Sequence, residues 1–145
     1  MAHGYANKGE ELIYLDSRKQ AIVANWIDVE DHHFEPSAIK LLTLLPNKPN
    51  INNGNYDQLV AEAEAKLSKV LDIYESQLSK FNYLASDKYT IADVLHLPNL
   101  QRLKETPARK LIESRPRVNA WCSEILARPA WTKVLQMQLQ AQAYA

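Results

Sequence analysis

At 145 residues, with 17 basic and 17 acidic side chains that cancel, the chain has the size of one domain able to bury roughly two thirds of its surface. The balanced charge excludes the electrostatic footprint of a nucleic-acid binder or a membrane-surface helix, which leaves small molecules and proteins as partners. The single cysteine, Cys122, excludes a disulfide framework or a Cys-rich zinc site and suits a reducing, cytoplasmic compartment. No apolar run approaches the roughly 20 residues of a membrane span, and "MAHGYANKGEE" lacks the apolar stretch of a secretory signal. With only three glycines and apolar residues spaced in threes and fours, strand signals are nearly absent, so the expected fold is all-α.

From Asp16 to about Leu45, Ile22, Trp26, Val29 and His33 or Phe34 keep helical spacing, with Asp16 or Ser17 as N-cap. Pro36 lies inside that run, where it removes a backbone donor and collides with the carbonyl four residues earlier, so a kink or break is expected there. "PNKPNINNGN", 46–55, collects turn-forming residues and reads as the longest loop. Next, Val60, Ala63, Leu67, Val70, Leu71, Tyr74 and Leu78 form one apolar stripe of a long helix, with Glu62 and Lys66 paired on its polar side.

In "DKYTIADVLHLPN", 87–99, Thr90 and Asp93 are placed to form a reciprocal capping box, with Tyr89 and Val94 as a hydrophobic staple. Pro98 lies too deep to be a first-turn proline, so the helix is expected to bend and to be buried against several neighbours. After a short segment at 107–112, Pro116 opens a helix with Val118, Trp121, Cys122 and Ile125 on one face, and Pro129 ends it. A short helix, "PAWTKVL", and a loose polar tail, 136–145, close the chain.

Two carboxylate-x-x-His pairs, Glu30–His33 and Asp93–His96, have the spacing with which helical bundles hold two metal ions. Such a centre also needs carboxylates from two further helices, and Glu62, Glu64, Asp72 or Glu75 belong to one helix only. Capping already engages Asp93, and Glu62 and Glu75 read as solvated, so no metal site is expected. The neighbours His32 and His33 point about 100° apart on a helix and cannot readily act on one atom; one is expected to cap the core and the other to face a groove. Cys122 beside Trp121 reads as a small buried hydrophobe. Ser86, Ser114 and Ser123 have no histidine nearby in sequence, so no catalytic nucleophile stands out.

The stretches "VEDHHFEPSAIKLL", "YTIADVLHLPN" and "RPRVNAW…RPAW" closely resemble, in one register over about residues 1 to 135, the C-terminal helical domain of plant phi-class glutathione transferases. That resemblance implies a transferase-type bundle of about five to six helices, in which the T-x-A-D box opens the central buried helix. It divides the chain into the remnant of a preceding helix and linker (1–15), the helical domain (16–135) and the tail (136–145). It also implies that the glutathione-binding, thioredoxin-like domain with its catalytic serine is not in this sequence. The chain is then expected to hold no catalytic residue and no cofactor of its own, glutathione being the co-substrate of the complete enzyme, and to be inactive alone.

By the same register, Ile39, Thr43, Asn47 and Arg102 line the pocket for the hydrophobic co-substrate. Class members often carry aromatic residues at the last three, so a more polar pocket is implied here; Arg102 reads equally as a solvated helix residue. Hydrophobic small molecules and a second copy of the chain are the implied partners, in detoxification or stress response. The rival reading is a non-catalytic module that carries apolar ligands or docks proteins.

Overall fold

The structure, a computed structural model, describes residues 16–49 and 54–143, which are helices joined by short turns and loops, with no strand among those residues. The expectations for 1–15 and for residues 50–53 of the 46–55 loop therefore lie outside the described residues. In chain order the helices are α1 (Ser17–Val29), α2 (Glu35–Leu44), α3 (Gly54–Leu78), α4 (Ile91–Val94), α5 (Leu97–Lys104), α6 (Arg109–Glu113), α7 (Pro116–Leu126) and α8 (Pro129–Ala143). Since α1 runs into α2 and α4 into α5 with one interruption each, these amount to six rods.

Asp16 caps α1, its carboxylate accepting from the amides of Arg18 (2.9 Å) and Lys19 (3.2 Å). The interruption at Pro36 is a π turn, Glu30–Phe34, in which the Glu35 amide donates to the Glu30 carbonyl. An i→i+5 turn widens the helix by one residue just before the proline, giving its ring room where an α turn would collide. Ser37 Oγ adds a bond to the His33 carbonyl, at 2.7 Å.

The second interruption corrects the sequence expectation. Rather than bending one helix, Pro98 occupies the first turn of a new one: α4 stops at Val94, whose carbonyl the proline could not have served, and α5 starts at Leu97. Pro129 likewise begins α8, which is longer than the short helix anticipated and runs to Ala143 with only Trp131 buried.

The core lies where α2, α3, α5, α6 and α7 meet. Phe34 and Leu41 pack with Leu67, Leu71 and Tyr74 of α3, Leu100 and Leu103 of α5, Ile112 of α6 and Val118, Cys122 and Ile125 of α7. The α3 stripe is buried as its periodicity requires, except Val60, which is half-buried. Glu62 does not pair with Lys66 but accepts from Gln58 at 3.2 Å.

Glu75, read as solvated, caps α7 from across the bundle: its Oε1 accepts from the amides of Arg117 and Val118, both at 3.0 Å. With Arg115 as N-cap and Pro116 behind it, α7 has no cap of its own, so a carboxylate from α3 meets the exposed amides of its first turn.

Candidate functional site

Asp93, His96 and the residues around them form a buried, fully engaged network. Thr90 Oγ1 accepts from the Ala92 amide (3.3 Å), and Asp93 Oδ2 accepts from the Thr90 amide (2.9 Å), closing the capping box. The other carboxylate oxygen, Oδ1, accepts from the Leu84 amide (3.2 Å) and from Trp121 Nε1 (3.0 Å), tying α4 to the preceding loop and to α7. His96 Nδ1 lies 2.7 Å from the Ala92 carbonyl and Nε2 lies 2.8 Å from the Tyr74 hydroxyl. A carbonyl can only accept, so Nδ1 carries the proton and Tyr74 donates to Nε2. The imidazole sits among Phe34, Tyr74 and Trp121, with ring centroids 4.7, 5.2 and 5.3 Å away.

Burial lowers the His96 pKa to about 4. It raises that of Asp93 against the opposing pull of the bonds from Thr90, Trp121 and Leu84, and pushes the Cys122 thiol up to about 11. A neutral histidine with both nitrogens used and a fourfold-bonded carboxylate are structural groups. Their counterparts Glu30 and His33 do not converge on them: Glu30 is buried and His33 is exposed on another face.

Both His32 and His33 are exposed, and neither caps the core as expected of one of them. His32 Nδ1 lies 3.0 Å from the Asp28 carbonyl, and both rings line a groove of about 940 Å³ between α1–α2 and α3, floored by Trp26, Val29, Ala63 and Ile73 and edged by Lys40, Lys66 and Lys69. The sequence reading expected one of the two histidines to face a groove, and both do.

The four residues assigned to the co-substrate pocket lie on a different face. Ile39, Thr43 and Asn47 follow one another at intervals of four along α2 and the 3₁₀ turn after it, and all are exposed; Asn47 Nδ2 donates to the Thr43 carbonyl at 2.7 Å. Arg102 is exposed on α5, which packs against α2. None of the four lines either cavity. One turn before Ile39, however, Glu35 borders a cavity of about 430 Å³ shared with Leu95, Pro98 and Asn99, so α2 and α5 both start at that cavity.

The remaining walls are Ile27, Asp28, Glu30 and Asp31. Oxygens of Glu30, Asp31 and Glu35 lie within 4.8 Å of one another. Burial, then the Glu35 and Asp31 charges, raise the Glu30 pKa to about 7. No sequence signal marked Glu30 as buried, because the π turn that rotates it inward depends on Pro36 and on packing.

The glutathione S-transferase C-terminal domain model matches residues 34–129. The fold and this match define the class, and the chain belongs to the glutathione S-transferase family. Its relatives are phi-class plant enzymes. It is 47% identical over 136 residues to glutathione S-transferase APIC of Nicotiana tabacum, covering 94% of this chain and 64% of that protein. The crystal structure of glutathione transferase F2 from Populus trichocarpa superposes with a TM-score of 0.84 at 36% identity, over 96% of this chain and 66% of that one. Glutathione S-transferase I from maize, solved in complex with an atrazine glutathione conjugate, superposes with a TM-score of 0.77 at 30% identity, over 91% of this chain and 63% of that one. The chain thus spans somewhat less than two thirds of the tobacco relative. No helix among the described residues is long and apolar enough to cross a membrane.

Proposed function

We propose that this chain is the acceptor-binding helical part of a glutathione transferase, whose reaction is attack of the glutathione thiolate on an electrophilic carbon of a hydrophobic compound. One observation carries the reading: Ile39, Thr43 and Asn47 form an exposed stripe along α2 and the turn after it, and α2 packs against α5, on which Arg102 is exposed. The maize relative's atrazine conjugate supports a role for this fold in holding such compounds. Thr43, Asn47 and Arg102 make the surface more polar than an aromatic-lined pocket, which favours electrophiles with hydrogen-bonding groups.

The thiol chemistry requires donors that stabilise the thiolate and hold glutathione in line with its target. The groups described here offer neither: Cys122 is buried with a raised pKa, and His96 is neutral with both nitrogens bonded. The chain therefore contributes binding and orientation, the 16–135 helical unit being its working part, and glutathione activation belongs to a preceding domain. We read the working assembly as a cytoplasmic homodimer.

The test is to pass the purified chain over immobilised glutathione, assay conjugation of 1-chloro-2,4-dinitrobenzene, and map the amide shifts induced by the dinitrophenyl conjugate. Neither retention nor turnover is expected from the chain alone, with shifts clustered at Ile39, Thr43, Asn47 and Arg102. Turnover, or shifts confined to the Trp26–Ile73 groove, would overturn the assignment.

A further inference from the structure

Thr106 stands in the turn that joins α5 to α6, and its hydroxyl holds that turn closed: Oγ1 donates to the Leu103 carbonyl at 2.8 Å and accepts from the Ala108 amide at 3.2 Å. The Thr106 amide donates to the same Leu103 carbonyl (3.0 Å), and the Thr106 carbonyl accepts from the Arg109 amide (3.1 Å). Every one of these partners lies within three residues, so the turn opens by breaking local bonds alone. Thr106 is half-buried, and Glu105, Pro107, Arg109 and Lys110 around it are exposed.

Of all the Ser and Thr residues in the chain, Thr106 alone is followed by proline, and Arg109 is the third residue after it. Pro107 has a fixed φ and no amide N–H, so a protein pocket can close on it without burying an unsatisfied donor, which any other residue would bring. Arg109 offers a planar fork of donors to an acidic group beyond that pocket. A hydroxyl, a proline directly after it and an arginine two further on form the pattern that a proline-directed protein kinase reads.

We propose that Thr106 is a phosphorylation site for such a kinase, and that the phosphate regulates the acceptor surface by drawing Arg102 to itself. The regulatory half rests on the acceptor assignment. In the transfer, the Thr106 oxygen attacks the γ-phosphorus of ATP, the bond from that phosphorus to the bridging oxygen of ADP breaks, and the hydroxyl proton leaves with the kinase's base. The product carries nearly two negative charges and has no proton left for the Leu103 carbonyl. Close to the C-terminal end of α5, a dianion is opposed by the helix dipole and needs cations around it. Lys104 and Arg109 are already held by Glu113, at 3.6 and 4.0 Å, and Lys110 by Glu64, at 3.4 Å. Arg102, four residues before Thr106 in the last turn of α5, is exposed and has no ion pair among the described residues.

The experiment incubates the full chain with a cyclin-dependent kinase and MgATP, locates the phosphate by peptide mass spectrometry and follows binding of the dinitrophenyl glutathione conjugate. Phosphate on Thr106 of the native chain is expected, at a rate about tenfold lower in Pro107→Ala. The phosphorylated chain should bind the conjugate about threefold more weakly, and in Arg102→Ala phosphorylation should leave the affinity unchanged. No phosphate on Thr106, phosphate only on the chain unfolded in urea, or an equal rate in Pro107→Ala would overturn the site. Phosphate on Thr106 with conjugate binding unaltered, or weakened equally in Arg102→Ala, would keep the site and overturn the regulation. A conjugate that shifts neither Ile39 nor Arg102 in the unmodified chain would remove the acceptor assignment, and with it the regulation, while phosphate on Thr106 would still support the site.

Discussion

Glu30–His33 and Asp93–His96 share one spacing and have opposite fates. At Asp93–His96 every polar atom is matched: the carboxylate takes four donors, and the imidazole is bonded at both nitrogens inside an aromatic box. At Glu30–His33 the carboxylate lines a small cavity and the histidine faces a groove. A carboxylate and an imidazole three apart become architecture in one place and the lining of two cavities in the other, because spacing alone does not decide what a titratable group does. What decides it is whether the neighbouring elements deliver partners.

The largest expected effect breaks the satisfied side. Asp93→Ala strands the Leu84 and Thr90 amides and Trp121 Nε1 in the core, and urea denaturation should show a loss of about 3–5 kcal/mol. A loss below about 1 kcal/mol, of the size expected for a surface cap, would mean the network is not what joins α4 to α7.

Next come the two titrations, which run in opposite senses. His96 has a folded pKa lowered to about 4 from 6.5, so the stability tied to its neutral form is complete above 6.5 and is lost as pH falls through 4, up to about 3 kcal/mol. Glu30 has a folded pKa raised from 4.5 to about 7, so the stability tied to its protonated form is complete below 4.5 and is lost as pH rises through 7, by an amount that solvent screening holds below that of His96. Between 4.5 and 6.5 the two slopes oppose each other. Glu30→Gln should therefore stabilise the chain at pH 8 by about 1 kcal/mol after solvent screening, leave it nearly unchanged at pH 4, and uncover a steeper acid loss than the parent shows. Denaturant midpoints across pH 4–8 check this, and a pH-independent effect of the substitution would refute it.

Glu75→Ala tests a capping bond delivered from another helix. Removing the acceptor of the Arg117 and Val118 amides should cost about 1 kcal/mol and loosen hydrogen-exchange protection at the start of α7 while leaving α3 unchanged. At the small end, Thr43→Ala, on the exposed stripe, should alter stability by less than about 0.5 kcal/mol and still weaken binding of a dinitrophenyl glutathione conjugate. Weakened binding without destabilisation marks a ligand surface, in contrast to Asp93.

Much of this was legible from local chemistry. The α3 stripe, the Asp16 cap and the Thr90–Asp93 box depend on residues within one or two turns, and so does the disturbance at Pro36. The form of the two proline interruptions was less accessible. Whether a proline kinks a helix through a π turn or starts a new helix depends on which rearrangement lets the flanking side chains reach the core, as Phe34 does after one and Leu97 and Leu100 do after the other. The co-substrate residues came from register with a family and are each exposed, on α2, the turn after it and α5, yet the acidic cavity between those helices had no signature, since Glu30, Asp31 and Glu35 look like an ordinary charged helix surface.

By itself the sequence determined an all-helical chain, the faces its long helices bury and the caps that start α1 and α4, because these are set by periodicity and by hydrogen bonds between near neighbours. Only the tertiary structure decided that Glu75 caps a helix 42 residues away in sequence, that Tyr74 completes His96, and that Glu30 lines a cavity with the start of α5. Each of these depends on groups from elements distant in the chain, and their positions follow from how the whole core packs.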